Sequence, residues 1–556
     1  MNAKHLLIGS VVLTMLLAAC AAPASTPTTL GYAPTQAPQE VVVTQIVTVA
    51  GTPTVREFYA TSAPEPTQAT GGLAYATQPA ADAYYATPAP LGLYPTSAPT
   101  IPPDNFFQTY GVNPFVDTYE DHLSTFALDV DTASYSVMRR YLNEGHLPPA
   151  ESVRVEEYVN YFQQDYANPD NVAFGIYADG ALSPFHTDGS YILRFGIQGY
   201  DIPDSARKPA SLIFVIDVSG SMAMENRLEL VKQSLQLLVD RLRPDDSVGI
   251  VVYGTEARIV LNPTSGEDRA TILNAIYSLQ PEGATNAEAG LRVAYDMAAR
   301  AFRPDAINRV VLCSDGVANV GATGPDAILE SIGWYKDEYG ITLTTVGFGL
   351  GNFNDTLMET LADKGDGNYA YVDDLDEAQK LFVDNLTSTL QVIALDAKVQ
   401  VDFNTDVVAR YRLIGYENRA VADQDFRNDA VDAGEIGAGH TVTALYAVQF
   451  RPNANGRIAT VQLRWEDPAS HQVTEINGNF NTWDVASSFE NASPRYQLDV
   501  TVAQYAELLR YSPWAGQTSF HQLLNHAARL SELLPNDPDV GEFAGLVSYA
   551  SQISGN

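Results

Sequence analysis

The chain has 556 residues, of which 46% are hydrophobic and 10% aromatic, a composition typical of globular domains. Its 67 acidic and 32 basic side chains give a formal net charge of −35 at pH 7. Acidity of this size argues against nucleic acid as a partner, because the phosphates would be repelled, and it is typical of an exported protein that meets cations.

The first twenty residues predict an export signal. A short start with Lys4 precedes the apolar run Leu6–Leu17, which is too short for a membrane span of about 20 residues. The small residues Ala18 and Ala19 then lead into Cys20. This ending resembles the lipobox of bacterial lipoproteins, which implies cleavage before Cys20 and a diacylglycerol group on its sulfur. An ordinary secreted protein, or an uncleaved anchor in which Cys20 is incidental, is the alternative.

Residues 21–104 are predicted to form a disordered linker. They are poor in charge and rich in Ala, Pro, Thr and Tyr, so they cannot bury enough apolar surface to fold. The β-prone stretch Val41–Val49 is isolated and is assigned to the same linker. We therefore expect an extracytoplasmic protein, anchored to a bacterial membrane or cell envelope through Cys20, with its folded part held away from the surface.

Residues 105–206 predict an N-terminal α+β segment. Its predicted strands and helices are Ser124–Asp129, Ala133–Leu142, Glu151–Phe162, Val172–Ala178 and Tyr191–Gly199. Asp129 and Asp131 follow the first of these strands, where two carboxylates could bind calcium. Alternatively, Asp131 or Thr132 caps the helix that begins at Ala133.

Residues 207–392 alternate apolar strands with amphipathic helices. The predicted strands are Ser211–Val218, Ser247–Tyr253, Val310–Ser314, Ile341–Gly347 and Tyr369–Val372. The predicted helices are Arg227–Leu242, Asp268–Leu279, Asn286–Arg300, Pro325–Tyr339, Asp355–Asp363 and Leu375–Leu390. This order predicts a doubly wound α/β domain with a mainly parallel, Rossmann-like sheet, in which Cys313 is a small core residue.

After Val392 the spacing of apolar residues changes to a period of two, which is typical of strands. Residues 393–486 predict an antiparallel β-rich domain, with strands at Leu395–Phe403, Val407–Tyr416, Thr441–Phe450 and Arg457–Trp465. Residues 487–556 predict a small helical region, clearest at Val500–Arg510 and Phe520–Leu534. Since strands occur on both sides of residues 207–392, we expect them to pair into one β-rich body from which the α/β domain projects.

Oxygen-bearing side chains follow three strands of the α/β domain. Asp217, Ser219 and Ser221 form an Asp-x-Ser-x-Ser motif at the end of the first strand, Thr285 precedes a helix, and Asp315 follows a later strand. Loops at the carboxyl ends of parallel strands meet at one edge of the sheet. Hydroxyls and carboxylates are hard oxygen ligands that suit Mg²⁺. A turn that only caps the next helix is the alternative for the first motif.

These residues resemble the metal-ion-dependent adhesion site of the von Willebrand factor type A family. The resemblance implies a divalent cation, Mg²⁺ or else Mn²⁺ or Ca²⁺, held by Asp217, Ser219, Ser221, Thr285 and Asp315. It also implies an open position on the ion for an Asp or Glu carboxylate of a protein partner. The family usually has Thr where this chain has Ser314.

The flanking regions resemble those of a group of bacterial exported type A proteins, often lipoproteins. The similar stretches are residues 126–135, 411–419 and 431–440. The resemblance implies a family-specific segment before the type A domain and a C-terminal region of unknown function after it.

Other motifs are weaker. Residues 347–352 suggest a dinucleotide loop, but Asn352 stands where Gly is required, so we expect a plain turn and no nucleotide. We expect a binding protein rather than an enzyme, since Glu225 and Glu288 are the only candidate bases near the motif and should face solvent. A structural scaffold of the cell envelope is the second hypothesis, and a metal-dependent hydrolase the third.

Overall fold

The computed structural model describes residues 42–49, 52–59, 105–169, 172–316, 325–351 and 353–555, in two compact units that divide after Pro95. In the first unit, β1 (Val42–Val49) and β2 (Thr52–Tyr59) form an antiparallel pair rich in Val and Thr, which favour strands. These two segments differ from the expected disordered linker. The rest of the linker, and the export signal with Cys20, lie outside the described residues.

The N-terminal segment forms four strands and two helices. They are β3 (Val116–Asp117), β4 (Leu123–Ala127), α1 (Ala133–Asn143), α2 (Val155–Asn160), β5 (Phe174–Leu182) and β6 (Tyr191–Gly199). The second helix is shorter than predicted because a separate 3₁₀ turn, Ala150–Ser152, precedes it.

The α/β domain has six strands, with the order β12-β11-β10-β7-β8-β9. Its strands are β7 (Ala210–Asp217), β8 (Ser247–Tyr253), β9 (Ala257–Ser265), β10 (Ile307–Ser314), β11 (Thr342–Phe348) and β12 (Tyr369–Val372). All neighbours pair in parallel except β8 with β9. Separate buried clusters cover the two faces of the sheet, which confirms the predicted doubly wound α/β fold.

Helices of this domain lie close to their predicted bounds. They are α3 (Arg227–Arg241), α4 (Arg269–Tyr277), α5 (Ala287–Arg300), α6 (Pro325–Tyr339), α7 (Asp355–Lys364), α8 (Leu375–Gln379) and α9 (Leu386–Leu390). The single helix predicted at Leu375–Leu390 is wrong, because a π-helical turn at Lys380–Asp384 separates α8 from α9. Lys380 in this turn donates hydrogen bonds to Tyr161 and Asp539, which lie in the flanking regions.

The C-terminal region continues with six strands and three helices. They are β13 (Val392–Phe403), β14 (Val408–Ile414), β15 (Gly434–Gly437), β16 (Thr441–Phe450), β17 (Arg457–Glu466), β18 (Val473–Asn481), α10 (Pro494–Leu509), α11 (Phe520–Leu533) and α12 (Pro538–Ser554). Among the described residues, no helix is long and apolar enough to cross a bilayer.

Strands from both flanks share two antiparallel sheets. In one sheet β4 pairs with β13, and in the other β3 pairs with β14 and β6 with β16. Helices α1 and α2 pack with α10, α11 and α12 around a common buried cluster. The expectation that the two flanks form one β-rich body is therefore confirmed.

Candidate metal centre

The first motif lies at the carboxyl edge of the parallel sheet. Asp217 ends β7 and is fully buried, and its Oδ1 accepts a hydrogen bond from the Ser219 amide at 2.8 Å. The hydroxyl oxygens of Ser219 and Ser221 lie 3.0 Å apart. The motif therefore brings a carboxylate and two hydroxyls close together, as the sequence predicts.

Asp315 joins this group from the neighbouring strand. It follows β10, which pairs with β7, and it is buried. Ser314 donates from its hydroxyl to Asp217 Oδ2 at 3.1 Å, which links the two strand ends directly. Burial raises the pKa of Asp217 to about 6, and the negative charge of Asp315 adds to this rise while hydrogen bonds from Ser219 and Ser314 oppose it. The two carboxylates are thus close enough to repel, and a cation between them would relieve that repulsion.

The loop that carries Thr285 is tied to the first motif through its backbone. The Gly220 amide donates to Gly283 O at 3.2 Å, and the Glu282 amide donates to Val218 O. Thr285 itself is half-buried. The two carboxylates and the two serine hydroxyls are hard oxygen donors of the kind that a divalent cation prefers, and Thr285 offers a third hydroxyl on the adjoining loop.

Arg227, which the sequence analysis did not single out, occupies the same site. Its Nη1 donates to Asp315 Oδ2 at 2.8 Å, and its side chain is only 4% exposed. Arg227 also donates to the carbonyl of Leu350, in the turn after β11. One signal was present in the sequence: a cation in the first turn of a helix opposes the helix dipole, so an arginine there needs an anionic partner.

Glu225 connects the candidate metal centre to the N-terminal segment. Its Oε2 accepts from Arg140 Nη2 of α1 at 2.8 Å and lies 3.6 Å from Arg227 Nη2. Glu225 and Asn226 both have positive φ values, +51° and +59°. Glu225 is half-exposed, as expected, and it contacts two arginine side chains.

The Asp129 and Asp131 carboxylates have a role that neither sequence interpretation included. Arg419 donates to Asp129 Oδ2 at 2.9 Å and to Asp131 Oδ2 at 3.4 Å, and Asp131 Oδ1 accepts from the Tyr369 amide of β12 at 2.9 Å. Thr132 forms no side-chain cap on α1. These carboxylates therefore link the N-terminal segment to the C-terminal region through Arg419, and to the α/β domain through Tyr369.

Two smaller expectations concern the core and the turn after β11. Burial raises the pKa of the Cys313 thiol, as expected for an inert core residue. Gly349 has φ +83°, and a Cβ at this position would collide with the Arg227 side chain. This turn therefore supports Arg227.

Family comparisons agree with this architecture. Residues 211–384 match the family described as von Willebrand factor type A domain, and residues 102–193 match one described as von Willebrand factor. Residues 388–553 match the family described as the C-terminal region of uncharacterized protein YfbK. The type A fold of the central domain is thus shown.

Similar proteins come from bacteria and animals. Uncharacterized protein sll0103 of Synechocystis is 27% identical over 51% of this chain and 68% of its own length. Inter-alpha-trypsin inhibitor heavy chain H3 of Homo sapiens is 26% identical over 52% of this chain and 31% of its own length. The solved structure of a von Willebrand factor type A protein from Catenulispora acidiphila is 16% identical, with a TM-score of 0.40, and covers 67% of this chain and 89% of its own.

The strongest of these similarities spans the flanks as well as the central domain. Uncharacterized protein YfbK of Escherichia coli K12 is 36% identical over 477 residues, which are 81% of this chain and 81% of that protein. The chain therefore belongs to the family of YfbK, with a von Willebrand factor type A domain between an N-terminal segment and a YfbK-type C-terminal region.

Proposed function

We propose that this protein captures a partner protein through a metal-ion-dependent adhesion site at the carboxyl edge of the type A sheet. The observation that carries the proposal is the convergence of Asp217, Ser219, Ser221 and Asp315 at the ends of two paired strands. Thr285, on the adjoining loop, completes the donor set. The cation is Mg²⁺, or else Mn²⁺ or Ca²⁺, and the partner supplies an Asp or Glu carboxylate.

Each residue of the chain has a distinct task in this proposal. When bound, the metal supplies the positive charge that attracts the partner's carboxylate. The Ser219 and Ser221 hydroxyls are neutral, so they leave that charge only partly balanced. Asp217 holds the Ser219 amide and thereby shapes the first loop, while Arg227 holds Asp315 in place.

The location of the protein outside the cytoplasm is part of the same proposal. The export signal and Cys20 support an extracytoplasmic protein with a lipid anchor, and the acidic chain supports a partner other than nucleic acid. A cell-envelope scaffold is the second candidate. The Arg227–Asp315 ion pair favours it, because this pair gives Asp315 a counter-ion without any metal.

The test compares the purified full chain with Asp217→Ala and with the exposed control Asp305→Ala. Calorimetric titration with Mg²⁺ measures metal binding, and retention of proteins from an envelope extract in Mg²⁺ or in EDTA measures capture. We expect wild type and Asp305→Ala to bind Mg²⁺ and retain a partner only with the metal. Equal retention by Asp217→Ala, or by wild type in EDTA, would contradict the proposal and favour the scaffold.

A further inference from the structure

A row of four alternating charges leads from the candidate metal centre to the N-terminal segment. Arg227 Nη1 donates to Asp315 Oδ2 at 2.8 Å, and Arg227 Nη2 lies 3.6 Å from Glu225 Oε2. The same Glu225 oxygen accepts from Arg140 Nη2 of α1 at 2.8 Å. Arg227 and Asp315 are buried, whereas the side chain of Glu225 is 50% exposed and that of Arg140 is 26% exposed. A buried ion pair therefore lies next to an exposed one.

Arg227 has two carboxylates within reach but bonds only one of them. Its Nη1 is directed to Asp315 and its Nη2 to the carbonyl of Leu350, while its buried Nε–H has no acceptor among the described residues. The 3.6 Å between Arg227 Nη2 and Glu225 Oε2 is too long for a hydrogen bond. A small movement of the guanidinium toward Glu225 would therefore exchange one carboxylate partner for the other.

The backbone between the metal motif and α3 is strained at Glu225. Glu225 and Asn226 have φ values of +51° and +59°, in the left-handed region that residues other than glycine rarely adopt. They end the 3₁₀ segment Gly220–Asn226, which contains Ser221, and they directly precede Arg227. Such a conformation persists only where surrounding contacts hold it. A change in the partners of Glu225 and Arg227 therefore acts on the segment that carries the motif.

We propose that Glu225 and Arg140 act through Arg227 as positioning residues of the candidate metal centre. They decide whether the Asp315 carboxylate is held by the guanidinium or by the cation. This inference rests on the proposed metal-ion-dependent site. Two positive charges beside one carboxylate repel each other, so Arg227 releases Asp315 and pairs with Glu225 when a cation is bound. Arg140 then loses its partner, and α1 responds to the occupancy of the centre.

The response of α1 reaches the flanking body. Tyr135, Met138 and Leu142 of α1 belong to the buried cluster that α1 and α2 share with the three C-terminal helices. Coupling between two sites is reciprocal, so changes at α1 should in turn alter the affinity for the cation. Metal binding in the type A domain is thereby linked to the body formed by the two flanks.

Calorimetric titration of the purified full chain with Mg²⁺ tests the proposal through two substitutions with opposite expected effects. Arg140→Gln leaves Glu225 available to Arg227, so it should tighten Mg²⁺ binding by about two- to fivefold. Glu225→Gln removes the acceptor that Arg227 needs after releasing Asp315, so it should weaken Mg²⁺ binding by about the same factor. Arg427→Gln, which removes one positive charge from a 57% exposed side chain of the C-terminal region, should bind Mg²⁺ like wild type.

The same two substitutions in an Arg227→Gln background separate this exchange from a general effect of charge on the cation. Without Arg227 the exchange cannot occur, so Arg140→Gln and Glu225→Gln should then change the Mg²⁺ affinity much less than they do in wild type. Effects of full size in that background would overturn the proposal. The same conclusion would follow if the two single substitutions shifted the affinity in the same direction.

Hydrogen exchange of the wild type needs no substitution. Saturating Mg²⁺ should speed amide exchange in the last turn of α1, around Arg140, by about two- to fivefold, because Arg140 loses its contact with Glu225. Unchanged exchange there, in a protein that binds Mg²⁺, would overturn this proposal and leave the proposed metal site standing. A wild type that does not bind Mg²⁺ would instead overturn the proposed function, and this inference with it.

Discussion

Arg227 and Asp315 form a buried ion pair inside the candidate metal centre, with 2.8 Å between Arg227 Nη1 and Asp315 Oδ2. The pair joins the first turn of α3 to the loop after β10. It supplies a positive charge next to a proposed metal ligand. The centre therefore has an internal counter-ion, whose removal should make the domain depend on the metal.

Replacing Arg227 by Gln should lower the stability of the metal-free protein. The change leaves Asp315 buried without its counter-ion, and losing one partner of a buried ion pair costs about 3–5 kcal/mol. Mg²⁺ should recover part of this loss because it supplies a new counter-ion. Urea unfolding with Mg²⁺ and with EDTA measures both effects. An equal loss in the two conditions would show that the metal does not reach Asp315.

The free energy of unfolding should depend on pH between about pH 4 and pH 6 because of Asp499. Burial raises its pKa to about 6 against the opposing effect of Arg194, so the folded protein keeps this proton between about pH 4 and pH 6 while the unfolded chain loses it. Stability should therefore fall as the pH rises through this window, by on the order of 2–3 kcal/mol for this group.

Asp499→Asn isolates that contribution. The Asn side chain does not titrate, so the variant should show a flatter dependence of the unfolding free energy between pH 4 and pH 6. The comparison uses the slope rather than the absolute stability, because the substitution also changes the 2.9 Å hydrogen bond from Arg194 Nη1 to Asp499 Oδ2. Identical slopes for the variant and the wild type would disprove the assignment.

Arg419→Ala should uncouple the flanks from the type A domain. Arg419 contacts Asp129, Asp131 and also Glu359 of α7, so its loss leaves buried carboxylates without a cation. We expect a loss of several kcal/mol and two separate transitions in calorimetric unfolding. Arg427→Ala is the matched control, since Arg427 is 57% exposed, and it should cost less than about 1 kcal/mol. A single unshifted transition in Arg419→Ala would contradict this coupling.

Gly415→Ala should destabilise the protein through both its backbone and its neighbour. The positive φ alone costs an alanine about 1–2 kcal/mol, and the added Cβ displaces Glu156 from the Tyr416 amide. Gly541 lies within α12 with open space around its Cα, so Gly541→Ala should be neutral or stabilising by up to about 1 kcal/mol. Denaturant unfolding compares the two variants, and equal effects would refute this explanation of Gly415.

The sequence alone predicted the central fold and which side chains gather at the candidate metal centre. Apolar strands that alternate with helices are typical of a parallel sheet that is buried on both faces, and this local pattern placed Asp217 and Asp315 at strand ends. It did not predict β9, because that strand lies at the sheet edge with mostly exposed side chains and lacks an apolar pattern. The sequence also did not predict the π-helical turn at Lys380–Asp384, where Lys380 donates hydrogen bonds to Tyr161 and Asp539.

Tertiary structure decided which charges meet. Asp129 and Arg419 are separated by 290 residues, and Glu156 meets the Tyr416 amide across 260 residues. Such pairings depend on the strand register between the two flanks, which local periodicity does not encode. The same holds for Arg227, whose partner Asp315 lies 88 residues further along the chain. The sequence therefore identifies the proposed metal ligands by their motif, whereas the ion pairs around them follow from how the strands and helices pack.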